Sequence, residues 1–285
     1  ESNADTLNYP ASLTKMMTLF IVFDYLEKNK ISWDTRMKVS RIAASRSPSK
    51  LYLEEGSFIK VEDAVMALII KSANDVATVV AEHISGSERN FAKLMNQYAK
   101  KIGMNKTTFK NASGLPNRAQ LTTVRDMATL SRMLIYNFPE KYKLFKQKKF
   151  TWKGKTFKTH NKLMKSYEGA DGIKTGYISA SGFQLAFSAV RENKRLIGIY
   201  FGGDTGKQRD KSLTFLMNKE FNELNIDSKK VSKNSVIKNE NYLIVVGTFK
   251  YKNNAEKQVN LIKRKYPKTT KNKKGYVSLI QSNGK

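Results

Sequence analysis

The chain has 285 residues with 52 Lys and Arg against 24 Asp and Glu, so its formal net charge is +28. A hydrophobic content of 40% excludes global disorder, and no apolar run reaches the roughly 18 residues of a membrane helix. The lack of cysteine excludes disulfides, thiolate metal sites and cysteine nucleophiles, and two histidines, His83 and His160, disfavour a histidine-based metal site or triad.

The first half of the chain is predicted to be helical. Residues 13–26 are apolar nearly all round, which is typical of a buried helix, and Pro10 and Ser12 mark its start. Lys15 lies inside this run, where an ammonium group is costly unless it is paired or neutral. Further helices are expected over residues 61–70, 76–84, 91–102 and 125–136.

Strands are predicted from residue 150 onward. Residues 150–157 alternate around Gly154 like a hairpin, and three strand-like runs follow at 172–178, 182–190 and 196–201. Short polar turns between these runs favour antiparallel pairing, and residues 211–224 read as a closing helix. The predicted fold class is α+β, a mixed three-layer domain with an antiparallel sheet between helices.

Three short motifs carry candidate chemistry. They are Ser12-Leu-Thr-Lys15, Ser72-Ala-Asn74 and Lys174-Thr-Gly176, in that order, about 60 and then about 100 residues apart. Each motif alone is weak, because a solvated lysine or a helix N-cap explains it equally well. Ser12 and Lys15 are separated by three positions, which places both side chains on one face of a helix. A serine hydroxyl needs such a base within hydrogen-bond reach to act as a nucleophile.

The motif order is the one known for β-lactamases and penicillin-binding proteins. The segments around the motifs resemble the D-alanyl-D-alanine carboxypeptidases, the low-molecular-mass penicillin-binding proteins, over roughly residues 1–224. The resemblance implies the fold shared by penicillin-binding proteins and β-lactamases. The segments that carry it are Pro10-Ala-Ser-Leu-Thr-Lys-Met-Met-Thr18, Ser72-Ala-Asn-Asp-Val-Ala77, Phe91-Ala-Lys-Leu-Met-Asn96, Ser113-Gly-Leu115, Arg125-Asp-Met-Ala128 and Asp171-Gly-Ile-Lys-Thr-Gly176.

The resemblance also implies roles for the first two motifs. Ser12 attacks the carbonyl between the terminal D-alanines of a peptidoglycan stem peptide, and Lys15 is its base. Burial and the charge of Lys174 both favour the neutral form of Lys15. Ser72 relays a proton to the leaving amine, and Asn74 orients Lys15 and a substrate amide. A helix N-cap before residue 76 remains the alternative for Ser72 and Asn74.

The third motif is expected on an edge strand that accepts the substrate backbone as a further strand. Gly176 lets that backbone approach closely, and Thr175 holds the terminal carboxylate. By resemblance, the oxyanion hole uses the backbone N–H groups of Ser12 and Tyr177. Relatives commonly have histidine at the position of Tyr177, so a deacylation role of this side chain is left open.

Two further site residues come from the resemblance. Arg209 is a candidate carboxylate clamp, with an exposed arginine at a helix start as the alternative. Asn161 is expected to line the cleft, whereas His160 departs from the family pattern and is taken as a cleft-edge or solvated residue. His83 is taken as structural.

The family also has two strands before the nucleophile segment, and only residues 1–9 precede Pro10. An uncovered sheet edge is therefore expected, and the sequence is interpreted as a piece of a longer, exported protein.

The tail differs from the rest in charge. Residues 229–285 carry 15 Lys and Arg against 2 Asp and Glu, or +13, which leaves +15 for residues 1–228. This predicts a catalytic domain at 1–226, a linker at 227–240 and a βαβ module at 241–285. The module resembles the first half of a SPOR domain, which binds peptidoglycan glycan strands. The SPOR resemblance implies Tyr242, Phe249 and Tyr276 as candidate sugar contacts. An unrelated basic βαβ unit remains the alternative.

Together these observations predict a penicillin-sensitive serine D-Ala-D-Ala carboxypeptidase acting in the periplasm. Its expected partners are peptidoglycan stem peptides and glycan strands, with β-lactams as acylating inhibitors, and no cofactor, metal, nucleic acid or evident membrane attachment. A DD-endopeptidase or a β-lactamase of the same fold remains open, although no Glu-x-x-Leu-Asn-like segment supplies the separate deacylation base of class A β-lactamases. A non-catalytic basic protein that binds cell wall is the alternative from another class.

Overall fold

The computed structural model describes residues 3–231 and 243–246, with side chains through Leu224. The rest of the predicted tail module, including Tyr242, Phe249 and Tyr276, lies outside the described residues. In the described part the helices are α1 (Lys15–Glu27), α2 (Arg41–Ala44), α3 (Val61–Met66), α4 (Asn74–Ser85), α5 (Glu88–Lys101), α6 (Val124–Asn137), α7 (Pro139–Tyr142), α8 (Leu163–Ser166) and α9 (Gly206–Val231). The strands are β1 (Arg36–Lys38), β2 (Phe58–Lys60), β3 (Lys149–Trp152), β4 (Lys155–Lys158), β5 (Ala170–Ile178), β6 (Gly182–Arg191), β7 (Lys194–Gly203) and β8 (Leu243–Val246).

The central sheet has the order β5-β6-β7-β8. β5 pairs antiparallel with β6, and β6 pairs antiparallel with β7, as the short turns between the three predicted strands indicated. β8 lies parallel to β7. β8 therefore covers the part of the β7 edge from Leu196 to Ile199, and β5 is the free edge among the described strands.

Both faces of the sheet are buried by helices. Along β7, Ile197 and Ile199 point into a core shared with α1, α4 and α6, whereas Leu196 and Tyr200 point the other way, toward α9. This alternation follows from the two-residue repeat of a strand, which sends successive side chains to opposite faces. The predicted three-layer α+β class is confirmed by this arrangement.

The helix that carries Lys15 is the centre of the larger core. Every residue of α1 from Lys15 to Phe23 is buried, as expected of a helix that is apolar on all sides. The predicted helix over 61–70 differs in detail, because α3 ends at Met66 and a π-helical turn continues to Lys71. That turn delivers Ser72 to the cleft in a left-handed backbone conformation.

The predicted hairpin around Gly154 is formed by β3 and β4. Phe150 lies opposite Phe157, and Trp152 lies opposite Lys155 across a two-residue turn. Both turn residues, Lys153 and Gly154, have positive φ, which is the geometry that matches the right-handed twist of a tight hairpin.

The last helix is longer than predicted. α9 begins at Gly206 and ends at Val231, so it extends into the stretch predicted as a linker from residue 227. The predicted domain boundary is otherwise untested and stays a prediction. None of the helices in the described ranges combines the length and the apolar character that crossing a bilayer requires.

Candidate active site

The candidate nucleophile lies in a tight turn at the start of α1. Residues Ala11–Thr14 form a 3₁₀ turn, and Ala11 has a positive φ of 46°, which is unusual for a residue with a Cβ. Gly114 packs against this turn so closely that an added Cβ would lie 1.8 Å from the carbonyl oxygen of Ala11. The turn therefore holds the partly buried Ser12 in a fixed position at the cleft surface.

Lys15 is fully buried beneath Ser12 and is held by three oxygen atoms. Its Nζ is hydrogen-bonded to Ser12 Oγ at 3.1 Å, and it donates to Asn74 Oδ1 at 2.7 Å and to the carbonyl oxygen of Ser113 at 2.5 Å. A surface lysine that reaches solvent is excluded by this burial. The amine therefore lies within hydrogen-bond reach of the candidate nucleophile, which is the geometry that a general base needs.

The surroundings of Lys15 favour its neutral form. Burial lowers the pKa of Lys15 well below its ordinary value, and the charge of Lys174 lowers it further. Asp75 and Glu88 act in the opposite direction, but their effect is smaller. Because desolvation penalises the ammonium form, Lys15 can accept a proton from Ser12.

The second motif supplies two more groups to the same place. Asn74 donates from Nδ2 to the carbonyl oxygen of Ser47 while its Oδ1 accepts from Lys15. The Oγ of Ser72 is buried and has no hydrogen-bond partner among the described residues. The alternative of a helix N-cap is wrong, because α4 is capped at Ala73 without a side-chain hydrogen bond.

The third motif lies on β5, the free edge of the described sheet. Lys174 is 2% exposed, and its Nζ donates to the carbonyl oxygen of Thr175 at 3.0 Å. Burial lowers the pKa of Lys174 to about 7. Thr175, Gly176 and Tyr177 all line the cleft, which places an edge strand where an extended peptide can pair with it.

The structure gives a packing reason for a glycine at position 176. A Cβ there would lie 2.8 Å from Leu13 Cδ1 and 3.3 Å from Ala11 Cβ. The glycine therefore lets β5 pack closely against the turn that carries Ser12, a reason that the sequence did not indicate. Its absent side chain sets the spacing between the first and third motifs.

Arg209 lies in the first turn of α9 and lines the cleft, although it is only 4% exposed. Its guanidinium donates from Nε and Nη2 to Asp210, and from Nη1 to the carbonyl oxygen of Gln184. The alternative of an exposed arginine is wrong. The guanidinium already binds the carboxylate of Asp210, so only its remaining N–H groups can bind a substrate carboxylate.

The neighbours His160 and Asn161 differ in their outcome, because His160 lies at the cleft edge as expected and Asn161 does not line the cleft. His160 and Lys162 line the cleft, whereas Asn161 is buried behind them. Asn161 donates to the carbonyl oxygen of Gly172 and accepts from the backbone N–H of Leu163. The expectation that Asn161 lines the cleft is corrected, because both ends of its amide are used to hold the chain beside β5.

Burial and the charges of the cleft also act on His160. His160 is exposed at the cleft edge, yet desolvation by the surrounding chain and the nearby lysines, Lys174 first, lower its pKa to about 4. It is therefore neutral at physiological pH. His83 is exposed on α4 and does not line the cleft.

Sequence reasoning gave no role to three supporting groups. The carbonyl of Ser113 accepts from Lys15, and Asp75 accepts from the backbone N–H groups of Leu51 and Leu53. Glu88 pairs with Arg46 and accepts from the backbone of the loop that carries Ser113. The family-like segment Ser113-Gly-Leu115 indicated that the region of the Ser113 carbonyl matters. The residues around Glu88 contain no pattern that predicts its contact with the loop before Ser113.

All three motifs meet in one cleft with a volume of about 720 Å³. Ser12, Ser72 and Asn74 lie at its base, β5 forms one wall, and residues 114–116 and the start of α9 form other parts of the lining. The arrangement brings a serine, a buried amine and a free strand edge together, which suits acyl transfer from an extended peptide.

Comparison with known proteins gives a consistent result. The family model described as D-alanyl-D-alanine carboxypeptidase matches residues 1–205. The chain is 38% identical to D-alanyl-D-alanine carboxypeptidase DacC of Escherichia coli K12 over 73% of this chain and 54% of the relative. It is 36% identical to DacF of Bacillus subtilis 168 over 75% of this chain and 56% of that relative. The chain thus spans about half the length of the curated relatives it matches.

Solved structures show the same likeness. The D-alanyl-D-alanine carboxypeptidase DacD of Francisella tularensis aligns with a TM-score of 0.72 at 32% identity, covering 76% of this chain and 65% of that one. Penicillin-binding protein D2 of Listeria monocytogenes, in its ampicillin-bound form, aligns with a TM-score of 0.69 at 33% identity. That alignment covers 76% of this chain and 88% of the Listeria chain.

Proposed function

The chain belongs to the D-alanyl-D-alanine carboxypeptidase family, and from this membership we propose that it removes the terminal D-alanine from peptidoglycan stem peptides through an acyl-enzyme on Ser12. The observation that carries the proposal is the hydrogen bond of 3.1 Å between Ser12 Oγ and the fully buried Nζ of Lys15. A serine is activated only where a base lies this close, and a lysine serves as that base only where burial keeps it neutral.

The first step is the attack of Ser12 on the carbonyl carbon between the two D-alanines. The neutral amine of Lys15 takes the hydroxyl proton as the Oγ–C bond forms. Asn74 and the carbonyl of Ser113 hold the resulting ammonium through hydrogen bonds of 2.7 and 2.5 Å. These acceptors are in place before the reaction, so charge develops on Lys15 without any rearrangement of the site.

The second step is collapse of the tetrahedral intermediate. The C–N bond breaks, and the leaving D-alanine amine takes a proton that Lys15 passes through the Oγ of Ser72. This hydroxyl is buried and has no hydrogen-bond partner among the described residues, so its proton is not committed to another acceptor there. Water then hydrolyses the ester on Ser12 and releases the shortened peptide.

Substrate binding is assigned to the free edge of β5. The peptide adds as a further strand along Thr175–Tyr177, and its terminal carboxylate lies near Thr175, Lys174 and the free N–H groups of Arg209. The backbone N–H groups of Ser12 and Tyr177 hold the oxyanion, where one donor contributes roughly 3–4 kcal/mol. Because peptidoglycan lies outside the inner membrane, the protein acts as an exported, periplasmic enzyme, and β-lactams acylate it.

The test is mass spectrometry of the intact protein after incubation with benzylpenicillin, with the adduct mapped by proteolysis. One adduct on Ser12 is expected, followed by release of D-alanine when the protein is given a pentapeptide. Ser12→Ala should give neither, whereas Ser166→Ala, a matched change at an exposed serine, should give both.

Other outcomes assign the alternatives. An adduct that forms in Ser12→Ala contradicts the proposal. Consumption of crosslinked muropeptides instead of pentapeptides identifies an endopeptidase. An adduct on Ser12 that is lost within seconds, with the penicillin hydrolysed, identifies a β-lactamase.

A further inference from the structure

The hairpin β3–β4 has two unlike faces. Phe150, Trp152 and Phe157 lie on its inner face and pack against the main core. The outer face carries Lys149 directly opposite Lys158, and next to this pair Thr151 and Thr156 lie opposite each other with their hydroxyls 2.9 Å apart. All four of these outer side chains are exposed.

The outer face is part of a segment with a large excess of positive charge. Residues 141–167 contain ten lysines and no aspartate or glutamate. Lys141 pairs with Glu27 and Lys143 with Glu140, but the other eight lysines form no ion pair within the described part of the chain. Elsewhere on the surface, Lys28 and Lys60 do pair with carboxylates.

This concentration of charge is unfavourable for the isolated protein. Like charges placed directly opposite each other across two strands destabilise the pairing. Nothing in the packing requires lysine at either position, because both side chains point to solvent rather than into the core. An anionic partner would neutralise the pair, and no carboxylate of the described chain does so.

The outer face of the hairpin leads into the wall of the cleft. After Lys158, the backbone N–H of Thr159 donates to the carbonyl of Lys148 and extends the ladder by one residue. The next residues, His160 and Lys162, line the cleft itself. A polymer with one peptide end bound at Ser12 would therefore pass over Lys158 and Lys149 as it leaves the cleft on this side.

We infer that the outer face of this hairpin binds the free carboxylates of neighbouring stem peptides in polymeric peptidoglycan while one peptide end occupies the cleft. The inference rests on the proposed function for the identity of the polymer. Lysine suits this role, because a compact charge on a flexible stem follows carboxylates whose spacing varies. The face raises the local concentration of polymer and takes no part in the chemical step.

The test compares Lys149→Glu/Lys158→Glu with Lys100→Glu/Lys101→Glu, which makes the same change in charge at exposed positions of α5. The full chain is used. We expect the hairpin variant to raise KM for peptidoglycan sacculi about tenfold at low salt with kcat unchanged. The difference should nearly vanish in about 1 M NaCl, where the Debye length is about 3 Å. Turnover of a short acyl-D-Ala-D-Ala peptide whose single charge is its terminal carboxylate should match the parent protein, which also shows that the hairpin variant is folded.

Binding is measured separately, so that failure of the catalytic proposal can be recognised. Each pair of changes is placed in Ser12→Ala, and the protein that sediments with sacculi is measured. Loss of sedimentation in the hairpin variant alone supports the inference even if no variant releases D-alanine. Equal loss in both pairs contradicts it, as does undiminished binding to sacculi whose free stem-peptide carboxylates have been converted to amides. Binding to phosphatidylglycerol vesicles but not to sacculi would assign the face to a membrane surface instead.

Discussion

Lysines occupy two regions of this molecule under opposite conditions. In the cleft, Lys15 and Lys174 are almost completely removed from solvent, and burial is the first cause of the lowered pKa of each. On the hairpin, Lys149 and Lys158 are exposed and lie opposite each other. Burial thus suppresses the charge of the same side chain in the first region, whereas in the second region the side chain stays in contact with solvent.

The comparison explains how a protein of net charge +28 can use lysine for chemistry. Solvation decides the protonation state, because removing an ammonium group from water costs more than nearby carboxylates such as Asp75 and Glu88 return. The number of lysines in the sequence therefore says little about function. Their burial separates Lys15 and Lys174, to which the proposed mechanism gives roles, from the exposed lysines.

The largest effect should follow the loss of the buried amine. Lys15→Met keeps an unbranched side chain that is one atom shorter and removes the base, so acylation of Ser12 by benzylpenicillin should slow by about 10²- to 10⁴-fold. The rate is measured by quenching the reaction at set times and determining the acylated fraction by mass spectrometry of the intact protein. Lys100→Met, a change at an exposed lysine of α5, should leave the rate within about twofold of the parent. A normal rate in Lys15→Met would remove Lys15 from the mechanism and with it the contrast between the two regions.

An intermediate effect is expected in the pH dependence of stability. Lys174 has a folded pKa of about 7, whereas an unfolded lysine has a pKa of about 10.4. Between these values the unfolded chain binds the extra proton, so the free energy of unfolding rises with pH by about 1.4 kcal/mol per pH unit for this one group. The increase in the free energy of unfolding ends above the pKa of the unfolded lysine. Below pH 7 the destabilisation caused by Lys174 no longer changes with pH.

Lys174→Met should remove that part of the slope and should be more stable than the parent at pH 7. Urea unfolding at several pH values between 7 and 9.5 measures it. Lys149→Met is the matched control, and because Lys149 is exposed its slope should equal that of the parent. Equal slopes for all three proteins would mean that Lys174 is solvated, and the two regions would no longer differ.

Much of this could be predicted from the sequence, because the informative patterns are local. The apolar run around Lys15 predicted a buried helix, and the alternation around Gly154 predicted the hairpin. The order of the three motifs predicted one shared cleft. In each case a short window of residues contains the whole signal, since periodicity and turn chemistry act over a few positions.

The rest could not be predicted, because it depends on contacts between distant segments. Gly176 is required by the turn that carries Ser12, more than 160 positions earlier, and Glu88 acts on the loop before Ser113 from another helix. Asn161 faces the backbone of Gly172 instead of the cleft, and the window around residue 161 contains nothing that distinguishes the two orientations. Tertiary packing decides such choices.

The smallest effect should appear where like charges meet on the hairpin. Lys158→Glu places an opposite charge across from Lys149, so the free energy of unfolding should rise by about 0.2–1 kcal/mol at low salt. The gain should shrink as salt screens the exposed pair, and Lys165→Glu, at an exposed position of α8, should not reproduce it. If Lys158→Glu is more stable but binds sacculi less tightly, the wild-type lysine pair lowers stability and improves binding. This is expected of a binding surface. If Lys158→Glu is no more stable than Lys165→Glu, solvent already relieves the repulsion, and the lysine pair carries no sign of selection for a partner.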